Sequence, residues 1–170
     1  TTTIARLLAL RVAQASRAGA SPPRIALAAP TGRAAERMAD SLRRATQQMA
    51  GLGVDAQLLA ALPGEASTLH RLLGTIPDSP RFRHGNDNPL PFDIVVVDEA
   101  SMVDLPLMCK LVEAVADGTQ LILLGDPDQL PSVEAGDVLA AILAAAGDGD
   151  ALSMDDAAAL RPLLADVPVD

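Results

Sequence analysis

Apolar residues recur along the chain with two different periods, and the switch between them predicts the elements. Ile4, Leu7, Leu8 and Val12 fall at i, i+3, i+4 and i+8, the spacing of one helical face. Residues 3–18 therefore read as a helix that Gly19 is placed to end. After the break at Ser21-Pro22-Pro23, Ile25-Ala26-Leu27-Ala28-Ala29 is a short continuous apolar run. That is the pattern of a parallel strand buried on both faces. Pro30-Thr31-Gly32 ends it. Thr31 is placed to cap a second helix, which carries Met38, Leu42, Ala45 and Met49 on one side.

Gly51 and Gly53 interrupt this pattern, and two short helical pieces follow, over 56–62 and 68–73, with Gly74 as the stop. Residues 75–92 hold Pro77, Pro80, Pro89 and Pro91 with Gly85-Asn86-Asp87-Asn88, which predicts a surface loop with room for a small hairpin. Ile94-Val95-Val96-Val97 is the clearest strand, four β-branched residues in a row. Asp104-Leu105-Pro106 reads as a cap followed by an early proline, opening a helix through Leu107, Met108, Leu111 and Val115 that Gly118 stops. Leu121-Ile122-Leu123-Leu124 reads as the next buried strand, and 138–146 as a further helix. Residues 147–150 read as a linker and 155–164 as a last, weaker helix. Helices and strands alternate, which predicts an α/β fold: a mostly parallel sheet with helices on both faces. No internal repeat interrupts this alternation.

Composition narrows the function classes. The 170 residues suit one domain, with 13 basic and 22 acidic side chains and a net charge of −9. That balance argues against an autonomous basic nucleic-acid binder. Phe82 and Phe92 are the only aromatic residues besides the two histidines, with no Trp or Tyr. A platform that stacks bases on aromatic rings is excluded, and the core must be aliphatic. One cysteine, Cys109, cannot form an intrachain disulfide, and with two histidines it makes a zinc site of the usual kind improbable. Cys109 reads as a packed helix residue. No apolar run reaches the ~20 residues needed to span a bilayer, and no charged-then-apolar leader is present, so a cytoplasmic location is expected. The chain opens on Thr1 rather than methionine, and it reads as a piece of a longer protein.

In open α/β sheets ligands bind off the carboxyl ends of the strands. Each apolar run delivers polar residues there: Pro30-Thr31-Gly32-Arg33, then Asp98-Glu99-Ala100-Ser101, then Gly125-Asp126-Pro127-Asp128-Gln129. Adjacent acids after a hydrophobic strand suit nucleotide hydrolysis, one carboxylate holding magnesium and the other orienting water. They equally suit a strand end that caps the next helix. The Gln129 amide both donates and accepts, so it fits an outer phosphate or a water; the bland alternative is a Gly-Asp-Pro turn. A phosphate cradle of the G-x-x-x-x-G-K-[ST] type is missing. No glycine or lysine precedes Thr1, and the single lysine, Lys110, reads as a solvated helix residue. Thr1-Thr2-Thr3 is either a helix cap or the hydroxyl tail of such a cradle.

Taken together these segments resemble the motor core of the superfamily 1 DNA helicases, closest to the RecD-type alpha subunits of exodeoxyribonuclease V. Thr1-Thr2-Thr3-Ile4-Ala5 resembles the tail of that family's first motif, and 29–35 its motif Ia. Residues 66–74 resemble the conserved segment that comes next, 96–104 motif II and 124–136 motif III. The resemblance runs from residue 1 to about 145 and implies a P-loop NTPase fold of the RecA-like kind. It makes 1–146 a partial motor domain and 147–170 an acidic linker and terminal helix. It implies ATP and Mg2+ as cofactors, with Thr1, Thr2, Asp98, Glu99, Gly125, Asp126 and Gln129 around the nucleotide. Thr1 and Asp98 would hold the metal, Glu99 would be the base, and Gln129 would sense the γ-phosphate. Pro30, Thr31, Gly32, Arg33, Thr68 and His70 would grip single-stranded DNA through its backbone, without reading sequence.

The implied activity is ATP-driven 5′-to-3′ movement on DNA in repair and recombination. It operates within a complex whose other subunits bring a second motor and the nuclease. The cradle and the second motor domain are absent from this stretch, so the chain alone is expected to be inactive or nearly so. Two other readings remain: the helicase part of a conjugative relaxase, and a degenerate ATPase fold kept for protein contacts. His70 fits a partly buried structural role as well as a DNA contact. The basic loop of Arg81, Arg83 and His84 reads as solvated or partner-facing.

Overall fold

The computed structural model describes residues 2–126, 138–147 and 154. The elements in order are α1 (Thr2–Arg17), β1 (Ile25–Ala29), α2 (Gly32–Gly51), α3 (Ala56–Ala60), β2 (Ser67–Thr68), α4 (Leu69–Leu73), β3 (Ile94–Val97), a 3₁₀ turn (Ala100–Met102), α5 (Leu105–Ala114), β4 (Gln120–Leu123) and α6 (Val138–Ala146). The chain divides into two compact units, Thr1–Leu139 and Ala140–Asp170. The described part of the second is the remainder of α6, with Ile142 and Leu143 exposed, then Gly147 and Met154.

In the first unit the strands form a parallel sheet in the order β2-β1-β3-β4. Side chains along a strand alternate between its two faces. Here that alternation builds two cores. Ala26, Ala28, Val95 and Val97 join Leu69 and Leu73 of α4 and Met108, Leu111 and Ala114 of α5. Leu27, Ile94 and Val96 join Ala5, Leu8 and Val12 of α1, Met38, Leu42, Ala45 and Met49 of α2, and Leu59 of α3. The fold is thus three layers, helices over both faces of a parallel sheet. β3 lies between β1 and β4 and has no exposed residue. Burying a single Val or Leu side chain contributes roughly 1.5–3 kcal/mol, more than an exposed ion pair at about 0–1 kcal/mol, so these central runs dominate the fold.

The expected elements are present, with three differences. β2 leaves no mark in the apolar pattern, and Thr68 is its last residue as well as the cap of α4, rather than the first residue of a helical piece. A two-residue polar strand carries neither an apolar run nor an alternation. It is held by backbone pairing to β1, with Ala28 opposite Ser67 and Ala29 opposite Thr68. β4 starts at Gln120 and is half-buried rather than buried, because among the described residues it is the last strand of the sheet. Cys109 is exposed rather than packed. Met108, Leu111 and Ala114 take the core side of α5, and Cys109 is turned away with Leu105 and Val112. The expected helix over 155–164 lies outside the described residues.

The amino edge of the sheet is tied by Arg24 and Asp93. The Arg24 backbone N–H and Nε donate to Asp93 Oδ2 at 2.7 and 3.2 Å, and Nη2 donates to Oδ1 at 3.1 Å. This fork holds the Asp93 carboxyl below the usual carboxylate range, chiefly through the side-chain hydrogen bond from Arg24. A groove of about 680 Å³ opens beside the pair, lined also by Arg11, Gln14 and Ala18 of the α1 side and by Gln120. The second half of α1 therefore lies at the amino edge. A 16-residue helix is about 24 Å long, longer than these strands, so α1 runs against them and Thr2 lies toward the opposite, carboxyl edge.

Candidate functional site

Parallel strands deliver the segments after them to one edge, and here that edge gathers the polar ones. The register sets Ala28 beside Val97 and Val97 beside Leu123, so the exits of β1, β3 and β4 are level. The Asp98 N–H donates to Ala28 O at 2.9 Å, the Leu124 N–H to Val97 O at 2.8 Å, and the Ala100 N–H to Leu124 O at 2.8 Å. Pro30–Arg33, Thr68, Asp98-Glu99 and Gly125-Asp126 thus leave the sheet along a single line. The groove beside Arg24 and Asp93 is at the other edge and contains none of these residues.

Each exit has a local cause. Thr31 is extended, at φ −119° and ψ 154°, and its Oγ1 accepts the Ala34 N–H at 3.2 Å, capping α2. Thr68 Oγ1 accepts the Arg71 N–H at 3.3 Å in the same way at α4. A capped helix start has backbone N–H groups and the positive end of the helix dipole facing outward, which favours anions. Pro30 is half-buried, while Thr31, Gly32 and Arg33 are exposed. His70 is exposed and meets Phe82 edge-on, with ring centroids 5.8 Å apart. Its ring therefore stands at the surface beside Thr68.

The two acids differ sharply. Asp98 is half-buried, and its Oδ1 accepts the Glu99 N–H at 3.0 Å. Glu99 has φ +53° and ψ 39°, the left-handed region that a side-chain-bearing residue seldom adopts. That turn sends its carboxylate toward α2, where Arg37 Nη2 donates to Oε1 at 2.5 Å. The Glu99 side chain is 29% exposed and the Arg37 side chain 65%. The next turn is packed tightly. A Cβ added to Gly125 would stand 2.7 Å from Leu139 Cδ2 and 3.1 Å from the Ser101 N, so a larger residue there would have to displace the Leu139 side chain and crowd the 3₁₀ turn.

The structure brings Pro30, Thr31, Gly32, Arg33, Thr68, His70, Asp98, Glu99, Gly125 and Asp126 to the carboxyl edge, with Thr2 at the exposed start of α1. Thr1 and Gln129 lie outside the described residues. A divalent ion of the magnesium kind takes one or two carboxylates and fills its remaining positions with water and phosphate oxygens. Asp98 fits that donor set, since one of its oxygens is engaged by the backbone and the other is not needed for the turn. Sequence reasoning missed Arg37. It stands on an exposed helical face among other charged residues, and nothing in the local pattern marks it.

A family model for an AAA domain matches residues 1–135. The RecBCD enzyme subunit RecD of Mycolicibacterium smegmatis is 53% identical over 148 residues, covering 86% of this chain and 26% of that protein. Its namesake from Mycobacterium tuberculosis is 57% identical over 141 residues, 82% of this chain and 24% of the relative. The ATP-dependent RecD2 DNA helicase of Deinococcus radiodurans is 43% identical over 117 residues, 68% of this chain and 16% of the relative. The chain spans about a quarter of the length of the first two.

Proposed function

The chain belongs to the AAA domain family, and from that membership we propose that it is the nucleotide-hydrolysing part of a RecD-type, ATP-dependent DNA helicase. Family membership implies nucleotide binding. The observation that carries the finer reading is the carboxyl edge itself, where capped helix starts and an Asp-Glu pair leave adjacent parallel strands. In this reading Thr1 and Asp98 hold Mg2+, and Thr2, Gly125 and Asp126 border the nucleotide. Gln129 contacts its outer phosphate. The ion supplies charge neutralisation on the phosphates. The Glu99 N–H engages one Asp98 oxygen, and the other is the one assigned to the ion. Glu99 orients the attacking water and accepts its proton.

Single-stranded DNA runs across Pro30, Thr31, Gly32, Arg33, Thr68 and His70. The two caps present backbone N–H groups to phosphates, and Arg33 adds a charge that pairs with no acid among the described residues. The relatives' names as RecBCD subunits support assembly with the other subunits of an exodeoxyribonuclease V complex. Among the described residues no helix is long and apolar enough to cross a membrane; we propose action in the cytoplasm.

The test is ATP turnover with Mg2+, with and without single-stranded DNA, in a protein of the relatives' length that contains this chain. Turnover is expected to rise with DNA. Glu99→Gln is expected to abolish it while nucleotide binding persists. Turnover surviving that change removes Glu99 from the role of base and overturns the reading.

A further inference from the structure

The Arg37–Glu99 pair links two parts of the site that the proposed function treats separately. Glu99 comes directly after Asp98 at the exit of β3. Arg37 stands on α2, six residues after the Thr31 cap and so about 9 Å along the helix from it. The first turns of α2 are anchored by buried Ala34, Ala35 and Met38. The segment that begins the helix and the backbone of Arg37 therefore belong to one rigid piece, from which the guanidinium reaches Glu99. In the structure the guanidinium lies against Oε1, 2.5 Å away. The pair holds the Glu99 carboxylate toward α2 and so fixes its orientation. The pair is also reachable: Arg37 is largely exposed, and arginine pairs with a phosphate as readily as with a carboxylate.

We propose that Arg37 is a positioning residue that restrains Glu99 until a backbone phosphate of single-stranded nucleic acid, bound along Pro30–Arg33, takes the guanidinium in exchange. The proposal rests on Glu99 being the base. Arrival of the strand then releases the carboxylate toward water, and nucleic acid raises hydrolysis about two- to fivefold without any large movement of the sheet. The backbone supports the exchange. Glu99 keeps its left-handed turn, fixed by the Asp98 carboxylate, so only its side chain has to swing.

The experiment measures ATP turnover at zero and saturating single-stranded DNA in the relative-length protein carrying Arg37→Gln, with Arg37→Lys and Glu99→Gln in parallel. An exposed ion pair biases an equilibrium by only a small factor, so Arg37→Gln is expected to raise the DNA-free rate about two- to fivefold. The ratio of DNA-saturated to DNA-free turnover falls correspondingly. Arg37→Lys, which keeps the charge and loses the fork, is expected between wild type and Arg37→Gln. An unchanged or lowered DNA-free rate in Arg37→Gln overturns the restraint, including the case where only the DNA-saturated rate drops. Glu99→Gln separates the two failures. If it leaves turnover intact, the assignment of the base has failed. If it abolishes turnover while Arg37→Gln leaves the ratio as in wild type, only the restraint has failed.

Discussion

The left-handed Glu99 offers a direct measure of how far this site departs from relaxed backbone. Compare Glu99→Ala with Glu99→Gly in the 170-residue chain. Both remove the carboxylate and the ion pair with Arg37, so those losses cancel in the comparison. The difference that remains is the backbone at φ +53° and ψ 39°. An L-residue in that region costs roughly 1–2 kcal/mol, and glycine escapes the cost. Glycine gives back roughly 0.5–1 kcal/mol through the larger freedom of its unfolded chain. The net expectation is that Glu99→Gly is more stable than Glu99→Ala by about 0.5–1 kcal/mol. Glu99→Asn is expected between them, because asparagine tolerates this region. With a urea slope of roughly 2 kcal/mol/M, the two midpoints differ by about 0.2–0.5 M. Far-ultraviolet circular dichroism tracks the transition. A Glu99→Ala midpoint equal to or above that of Glu99→Gly refutes the claim that the turn holds Glu99 in a strained conformation.

Two further outcomes rest on the hydrogen bonds. Thr31→Ala removes the oxygen that accepts the Ala34 N–H and is expected to cost about 1 kcal/mol, read as a lowered urea midpoint; no change means that α2 does not need this cap. Asp93→Asn tests the amino-edge tie through pH. The folded Asp93 carboxyl lies below its ordinary value, so its contribution is present above the unfolded carboxyl value of about 3.9 and is lost as pH falls through the folded one. The stability gap between wild type and Asp93→Asn, from urea midpoints at successive pH values, is expected at neutral pH and to vanish in acid. A gap that does not vary with pH refutes it.

Much of the fold is legible along the chain, and the exceptions have physical origins of their own. β1 and β3 announce themselves because both of their faces are buried, which forces continuous apolar runs. The segments at their ends fall into place once the strands are known to be parallel. Long-range partners are a different matter. Ser67-Thr68 becomes a strand only because β1 offers its edge, and Glu99 meets Arg37 across 62 positions only because of one unusual φ. α5 fails for another reason. Leu105, Leu107, Met108, Cys109, Leu111 and Val112 put apolar groups all round that helix, so periodicity does not choose the buried face, and Cys109 is misassigned.

The aliphatic makeup of the two cores has a practical corollary. With no tryptophan or tyrosine anywhere in the sequence, the chain is nearly blank in near-ultraviolet absorption and emission. Any single indole placed in it becomes an unambiguous optical reporter. Phe82 is a natural position: it is half-buried and meets edge-on the ring of His70, which lies two residues beyond the Thr68 cap. Phe82→Trp would place a lone fluorophore beside the α4 start, where the nucleic-acid strand proposed to run past Thr68 and His70 is expected to register as a spectral change against a dark background.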